Sequence, residues 1–546
     1  MSDVDKRINA TSVVPAHDNS ILVDKDARLL AELGYKQEFR RNFSPIELFG
    51  IGFSIIGLVP SIASVLVFSV PYGGTHSMVW GWAVCGVFLT IIALAMGELG
   101  SAAPTSGGLY YWTFRFSSPK WRCLLSWIVG YANSVGNMAG LASIDWGCAV
   151  QIMAAASIGS GIKFQPTAGQ TYAVYCALLL FHGAMCSTSP VLIARLQKPY
   201  IILNLLLCVA LIVALPAATP SEFKNNAKEV FGTFINISGW NNGFAFIIGF
   251  LSPLWVIGAF DSVVHVSEEA TNAAVAIPFA IILSAVSSII IGWGIMIVLA
   301  FNMGKSPAAV LDSPIGQPLA TIFFNSFGQK GTLALWAVII VVQFTMGSSI
   351  LTACSRQIFA FSRDGGLPFS GWLYNVNQRT HAPVHAVWFS VLGAALLGLL
   401  GFAGPNAIGA VFALGVTGQY VAYSIPITAR YFGGQEIKPG PFTLGFMSTP
   451  IAAVAVVFMS FMTLVFMFPA IPNPSASDMN YTSVVMGGTL VLCVIYYYFP
   501  KYGGVYWFKG PIRTLELELG SEDSASAEVQ IVEEGKEKSS KVSSET

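Results

Sequence analysis

The chain has 546 residues, of which 54% are hydrophobic and only 10% charged, and its formal net charge is zero. Soluble domains carry about 25% charged residues, so a surface of ordinary soluble composition is excluded and the exterior has to face lipid. A neutral chain has no basic footprint for nucleic acid, and the eight cysteines (85, 123, 148, 176, 186, 208, 354 and 493) form no CxxC and no short His/Cys cluster, so no disulfide framework, metal site or cofactor is expected.

In chain order, residues 1–44 are polar and mixed in charge, with no cleavable signal peptide, and read as a cytosolic tail. Residues 45–500 read as one all-α transmembrane domain. Twelve apolar segments lie near 46–70, 78–101, 124–156, 171–188, 197–216, 243–267, 277–302, 332–361, 384–404, 406–430, 450–469 and 480–500. Most reach the roughly 20 residues that a helix needs to cross about 30 Å of hydrocarbon; the fourth is short. Residues 501–546 read as a cytosolic and largely disordered tail, because 521–546 is rich in Glu, Lys and Ser and poor in aromatics. With both termini in the cytosol, the inner loops hold Arg115, Lys120, Arg122, Arg195, Lys198, Arg356, Arg363, Arg379, Arg430 and Lys438. The outer loops hold only Lys163, Lys224, Lys228, Lys305 and Lys330, the asymmetry expected of this orientation.

Two segments carry helix-breaking residues at mid-depth. The first reads Gly52-Phe53-Ser54-Ile55-Ile56-Gly57-Leu58-Val59-Pro60-Ser61, where Pro60 removes an N–H and Gly57 tolerates unwinding. The sixth reads Ser252-Pro253-Leu254-Trp255-Val256-Ile257-Gly258-Ala259-Phe260-Asp261. Five helices separate them, so the two halves would be inverted in the membrane. Interrupted segments at matching places in two halves point to the central site of a transporter. Freed N–H groups attract a carboxylate, with Pro60 suited to open the second half-helix. Freed carbonyls attract an ammonium group or a cation.

Segment 97–112, Gly-Glu-Leu-Gly-Ser-Ala-Ala-Pro-Thr-Ser-Gly-Gly-Leu-Tyr-Tyr-Trp, closely resembles the signature after the second helix of amino acid–polyamine–organocation permeases. Leu29–Glu38, Phe53–Ser64, Ser143-Ile-Asp145, Trp240–Gly243, Gly258–Ala270 and Ser355–Pro368 resemble the fungal 4-aminobutyrate/choline permease branch, and the match runs from about 29 to 500. The resemblance implies twelve helices in a five-plus-five inverted repeat, with discontinuous helices 1 and 6 and two C-terminal helices. It implies alternating access, usually by proton symport, and a substrate site at Ile56, Gly57, Leu58, Val256, Ile257, Gly258 and Phe260. It also implies proton coupling at Asp261, where some relatives carry Glu.

Taken singly, a mid-membrane carboxylate such as Asp261 must be paired, wetted or protonated; it suits a proton carrier or amine partner, and equally a hydrogen bond to unwound backbone. His265, four residues on, shares its helix face and is a candidate for a proton relay in the pathway or for a satisfied interior histidine. Asp145 is a candidate for the pathway or for a polar contact between helices. Glu268 and Glu269 are candidates for gating with Arg356 or Arg363. Glu98, at a helix C-terminus, calls for a basic or donor partner. Gln343, Thr345, Ser348, Ser349 and Thr352 form a polar series whose hydroxyls suit sodium binding with carbonyls of the first helix, and better suit helix packing.

The expected partners are thus a small amino acid or amine, a proton as coupling ion, and the lipid bilayer. The expected function is import of 4-aminobutyrate or a related omega-amino acid, at the plasma membrane or at a vacuolar or other internal membrane. Two readings stay open beside it: a permease for a cationic amine such as choline, a thiamine-like cation or a polyamine, and a nutrient sensor that binds without transporting. No nucleophile, base and metal constellation marks an enzyme.

Overall fold

Lipid offers no hydrogen-bond partner to a peptide group, and the chain accordingly folds as helices almost throughout. The computed structural model describes residues 25–39, 41, 43–435, 438–475 and 479–512. The expectations for 1–24 and 521–546 lie outside the described residues. Among the described residues, ten helices are long and apolar enough to cross a membrane, judged by length and composition. Two shorter apolar helices, Asn242–Val256 and Thr482–Tyr497, lie beside them.

The first crossing begins at a capping box. Ser44 and Glu47 exchange hydrogen bonds, and Pro45 occupies the first helical position, where its missing N–H costs nothing. The crossing consists of α1 (Pro45–Ile56) and α2 (Leu58–Val65), separated at Gly57. Next come α3 (Gly74–Ala102), α4 (Gly108–Phe116), α5 (Arg122–Gly159), α6 (Ala168–Thr188) and α7 (Pro190–Ala218). The following crossing is built of pieces, α8 (Asn242–Ile248), α9 (Leu251–Val256) and α10 (Ser262–His265). Then follow α11 (Ala273–Asn302), α12 (Pro318–Arg363), α13 (Val384–Gly398), α14 (Pro405–Phe432), α15 (Ser448–Val465) and α16 (Thr482–Tyr498).

Three elements differ from the expected segments, the fifth beginning at Pro190 instead of 197. The eighth segment begins at Pro318 instead of 332; Gly328, at φ 65°, bends the chain within it. The signature stretch also contains a separate helix, α4, so that Arg115, expected on an inner loop, stands in a helical turn. α3 stops at Ala103, before Pro104, and the Gly108 N–H at the start of α4 donates to the Thr105 carbonyl and hydroxyl.

Both described ends of the chain meet on one face. Tyr35 Oη and the Ile512 N–H both donate to the Asp364 carboxylate, at 2.9 and 3.0 Å. We call this the terminal face. Two short antiparallel strands, β1 (Tyr72–Gly73) and β2 (Ile235–Asn236), tie loops together elsewhere. Residues 504–512 pack onto the helices, with Phe508 5.2 Å from the Trp127 ring.

The walls of the centre are positioned by contacts too close for side chains. α5 and α14 cross at glycines: a Cβ on Gly418 would lie 2.9 Å from Gly136 Cα and 3.1 Å from Ala132 O. A Cβ on Gly136 would lie 3.1 Å from the Gln419 amide nitrogen. Small residues that let backbones touch are the membrane substitute for a hydrophobic driving force. Because the obstructing atoms are backbone, Gly418→Val cannot be absorbed by a rotamer change and is expected to destabilise the protein by about 1–3 kcal/mol, the usual range for overpacking. Thermal unfolding in detergent checks this; an unchanged midpoint would show that α5 and α14 are not held at this distance.

Candidate functional site

At the first break Gly57 adopts φ 40°, ψ 69°, a left-handed conformation that favours glycine. Its N–H still closes onto Phe53 O at 3.1 Å, and its own carbonyl accepts from the Ser61 N–H at 2.9 Å. Ser61 Oγ donates to Ile56 O at 2.6 Å, so one of the freed carbonyls is satisfied by a side chain. Leu58 and Val59 open α2, and first-turn amides have no partner within their own helix. Pro60 stands at the third position of α2, not the first. It contributes no N–H there, and its carbonyl accepts from Gln151 Nε2 at 3.0 Å. A Cβ on Gly57 would run into Met346 Sδ, which packs directly on the break from α12.

The second break spans Ile257–Asp261, between α9 and α10. Ala259 has a left-handed φ of 55°, and its N–H donates to Gln419 Oε1 at 3.1 Å. Trp255 Nε1 donates to Ser143 Oγ at 3.1 Å, which fixes the indole against α5. A cavity of about 30 Å³ lies between the breaks, lined among others by Ile55, Ser61, Ile144, Trp255, Gly258 and Gln419. That is about one water's share of liquid volume. Val256 and Gly258 reach this cavity; Ile56, Gly57, Leu58 and Ile257 form the broken backbone around it. Phe260 is not brought to the cavity wall and packs on Tyr423, with ring centroids 5.7 Å apart.

A second cavity, of about 480 Å³, is lined by Ser64, Phe68, Trp146, Leu251 and Phe412 among others. Four helices run from one cavity to the other in register: Ser61 to Ser64 on α2, Ile144 to Gly147 on α5, Trp255 to Leu251 on α9, and Val416 to Phe412 on α14. Each step is about one helical turn, or 5.4 Å. Rings partition the two spaces: Phe412 lies 5.0 Å from Trp255 and 5.4 Å from Phe68.

Towards the terminal face the centre is sealed by charge. Arg363 forms a forked pair with Glu268, both contacts at 3.1 Å, and Arg356 pairs with Glu269 at 2.8 Å. Glu268 also accepts from the Ser106 N–H at 3.1 Å. The Arg363 guanidinium lies 3.9 Å from the Tyr35 ring centroid, and Tyr35 and Tyr110 both donate to Asp364. Burial pushes the Asp364 carboxyl above its ordinary range, against the opposite pull of Arg363, the Ile512 amide and the two tyrosine hydroxyls. The 25–39 segment is part of this seal: Asp26 accepts from the Asn272 and Ala273 amides at 2.6 and 3.1 Å, and so caps the start of α11.

The remaining sequence candidates have defined surroundings. Asp261 accepts from Tyr423 Oη at 2.7 Å and lies 3.3 Å from His265 Nε2. His265 Nδ1 faces Ser106 O at 3.0 Å, so this nitrogen carries a proton. Nε2 also meets Asn133 Nδ2 at 3.1 Å, and Asn137 donates to Asn133 Oδ1 at 2.6 Å. Glu98 meets Arg430, Ser448, Thr443 and the Leu444 amide. Asp145 lies outside both cavity linings, against His182. Gln343 bonds Ile144 O at 2.9 Å, and Ser349 bonds Gln197 and Ser54, so these members of the polar series knit helices together.

Sequence reasoning missed Gln419, Met346, Gln151 and His182. Gln419 lies 160 residues from the amide it holds, and no local pattern flags such a pair.

A multi-pass helical protein with two facing breaks at its centre, a charged seal on one side and a larger cavity on the other, belongs to the class of membrane transporters. The amino acid permease family model matches residues 43–490. The chain is 40% identical over 498 residues to a GABA-specific permease of Saccharomyces cerevisiae, covering 90% of this chain and 86% of that one. It is 40% identical over 496 residues to an uncharacterised amino-acid permease of Schizosaccharomyces pombe, covering 91% and 90%. The amino-acid permease BAT1 of Arabidopsis thaliana is 31% identical over 509 residues, covering 90% and 98%. The chain belongs to the amino acid permease family, and its role is transport rather than catalysis.

The break makes a direct prediction. Gly57→Ala imposes the left-handed penalty of roughly 1–2 kcal/mol on an L-residue and displaces Met346. Amino-acid uptake into vesicles should fall about five- to thirty-fold, since each 1.36 kcal/mol is a factor of ten. Gly57→Ala with Met346→Ala should recover part of the loss. Wild-type uptake in Gly57→Ala would mean that the break is not used.

Proposed function

We propose that the protein is a secondary carrier that imports a small zwitterionic amino acid, 4-aminobutyrate or a related omega-amino acid, by alternating access coupled to a proton. The observation that carries this reading is the pair of main-chain breaks facing each other across the small central cavity. Amides at the start of α2 suit a carboxylate, and carbonyls at the end of α9 suit an ammonium group. A zwitterion uses both, whereas a cationic amine leaves the amides without a partner. The GABA-specific relative supports the same substrate class.

In this reading the crossings form two inverted five-helix repeats followed by two further helices, twelve in all, with α1–α2 and α8–α10 as the discontinuous members. Residues 45–500 are the permease domain, flanked by cytosolic tails over 1–44 and 501–546. The terminal face is cytosolic, as the Lys/Arg asymmetry favours. The Glu268–Arg363 and Glu269–Arg356 pairs then form the inner gate, with Glu98 bracing it, and the cavity of about 480 Å³ is the outer vestibule. The plasma membrane is the setting that fits import. The central cavity of about 30 Å³ is too small for an amino acid, so loading requires Trp255 and Phe412 to part and the half-helices to separate. Asp261 and His265 exchange a proton just on the gate side of the cavity, where substrate and proton are released together.

Uptake into proteoliposomes under an imposed proton gradient tests the reading. Labelled 4-aminobutyrate should accumulate, collapse with a proton ionophore, and be displaced by unlabelled 4-aminobutyrate but not by choline or a polyamine. Choline-selective displacement would favour the cation reading, and binding without accumulation would favour a sensor. Asp261→Asn should abolish accumulation against a gradient; unchanged pH-dependent accumulation would remove Asp261 from the coupling.

A further inference from the structure

Outside the central site the protein buries a second acid–imidazole pair. Asp145 on α5 and His182 on α6 are both completely buried, with Oδ2 and Nδ1 3.1 Å apart. Their other polar atoms, Asp145 Oδ1 and His182 Nε2, have no hydrogen-bond partner. Room for the pair is made by Gly347 on α12, where a Cβ would collide with both Asp145 Oδ1 and the His182 ring. The Phe344 ring closes the same side, 4.4 Å from the imidazole centroid.

The charge balance of this pair points to a ligand. With one proton, on Nδ1, the pair carries a net negative charge, and a buried carboxylate oxygen is left without a donor, an expensive state in an apolar interior. A second proton makes the pair neutral overall, whether as Asp–COOH with imidazole or as carboxylate with imidazolium. The other titratable groups within electrostatic reach of Asp145 are the Cys148 thiol on α5 and the Tyr175 phenol and Cys186 thiol on α6. Tyr175 is committed to Ala394 O and Cys186 to Ser348 O, and neither supplies a positive charge. The single titratable side chain of α13, His385, is stacked on Trp372 at 4.5 Å. On α12 the nearby cation, Arg356, is paired with Glu269.

The pair also adjoins the transport machinery. Gly347, which makes room for it, follows Met346, the residue packed on the Gly57 break. Asp145 follows Ile144 of the central cavity and precedes Trp146 of the larger one. A change of charge or spacing at the pair is therefore one residue from the first break along α12 and one residue from both cavities along α5.

We propose that Asp145 and His182 form a second proton-binding site, which takes up one proton per cycle and transmits its occupancy to the Gly57 break through Gly347 and Met346. The role in coupling rests on the proton-symport reading above; proton binding itself does not. Uptake adds one proton to the shared Oδ2···Nδ1 pair or to Nε2 and takes its net charge from minus one to zero.

The test uses pH-difference infrared spectra of the purified full-length protein in lipid nanodiscs. Beside any band from Asp261, the wild-type spectrum should hold a component, a protonated-carboxyl stretch or an imidazolium ring mode, that is lost or shifted in Asp145→Asn, retained in Asp261→Asn and shifted in midpoint or frequency in His182→Gln. A wild-type spectrum in Asp145→Asn overturns the assignment. Should Asp145→Asn fail to give a monodisperse, folded protein, an unmoved band in His182→Gln overturns it instead. In proteoliposomes, accumulation of 4-aminobutyrate in both pair variants should fall towards equilibration while exchange at equal pH persists. Equal loss of the two activities marks a merely structural pair and overturns the coupling role. A wild type that does not accumulate 4-aminobutyrate under the gradient counts against the proposed function, and the infrared result then decides the proton site alone.

Discussion

Everything in this molecule is arranged around peptide groups that a bilayer should not contain. A helix crossing lipid satisfies its own backbone, and an unwound stretch at mid-depth leaves polar atoms that cost several kcal/mol each if unpaired. The protein supplies side chains for several of them. Ser61 bonds Ile56 O, Gln151 bonds Pro60 O and Gln419 accepts from the Ala259 amide. Groups at the start of α2 and the end of α9 are left for whatever enters between them. Part of the cost of the breaks is thus met by Ser61 of α2 itself, by Gln151 of α5 and by Gln419 of α14; in the proposed function the remainder supplies the affinity for a solute.

The two sides of the centre are closed by different physics. On one side, rings of Trp255, Phe412 and Phe68 separate the cavities by dispersion and exclusion of water. Such contacts are individually weak and part without leaving an unpaired charge. On the terminal face the seal is ionic and almost fully buried, with Arg363–Glu268 and Arg356–Glu269 side chains at most 3% exposed. Breaking one partner of such a pair strands the other in low dielectric, so, in the proposed transport cycle, this seal opens only when water reaches both partners together. The 25–39 segment and residue 512 belong to that seal through Tyr35, Asp26 and Asp364.

Much of this was legible in the sequence because lipid imposes strict rules. Apolar length located most of the crossings, and Gly57, Pro60, Pro253 and Gly258 flagged both breaks, since few residues but Gly and Pro punctuate a membrane helix. The details that escaped are those set by tertiary contact. Pro60 suggested a half-helix starting at itself, but the left-handed Gly57 starts it two residues earlier. Phe260 sits at the break in sequence yet packs on Tyr423, the residue whose hydroxyl also bonds Asp261. Asp145 read as a candidate for the pathway or for a polar contact between helices, and its partner His182, 37 residues away on another helix, could not be inferred from spacing. The α4 helix hid inside a stretch whose Thr, Ser and Gly residues resemble an ordinary loop.

The central claim is that a zwitterion replaces the hydrogen bonds lost at the two breaks. A density map of the protein with 4-aminobutyrate bound tests it most directly. The account predicts density between Gly57 and Gly258, with the carboxylate against the Leu58 and Val59 amides and the ammonium group towards the end of α9. Density confined to the larger cavity, with the space between the breaks unchanged, would contradict it.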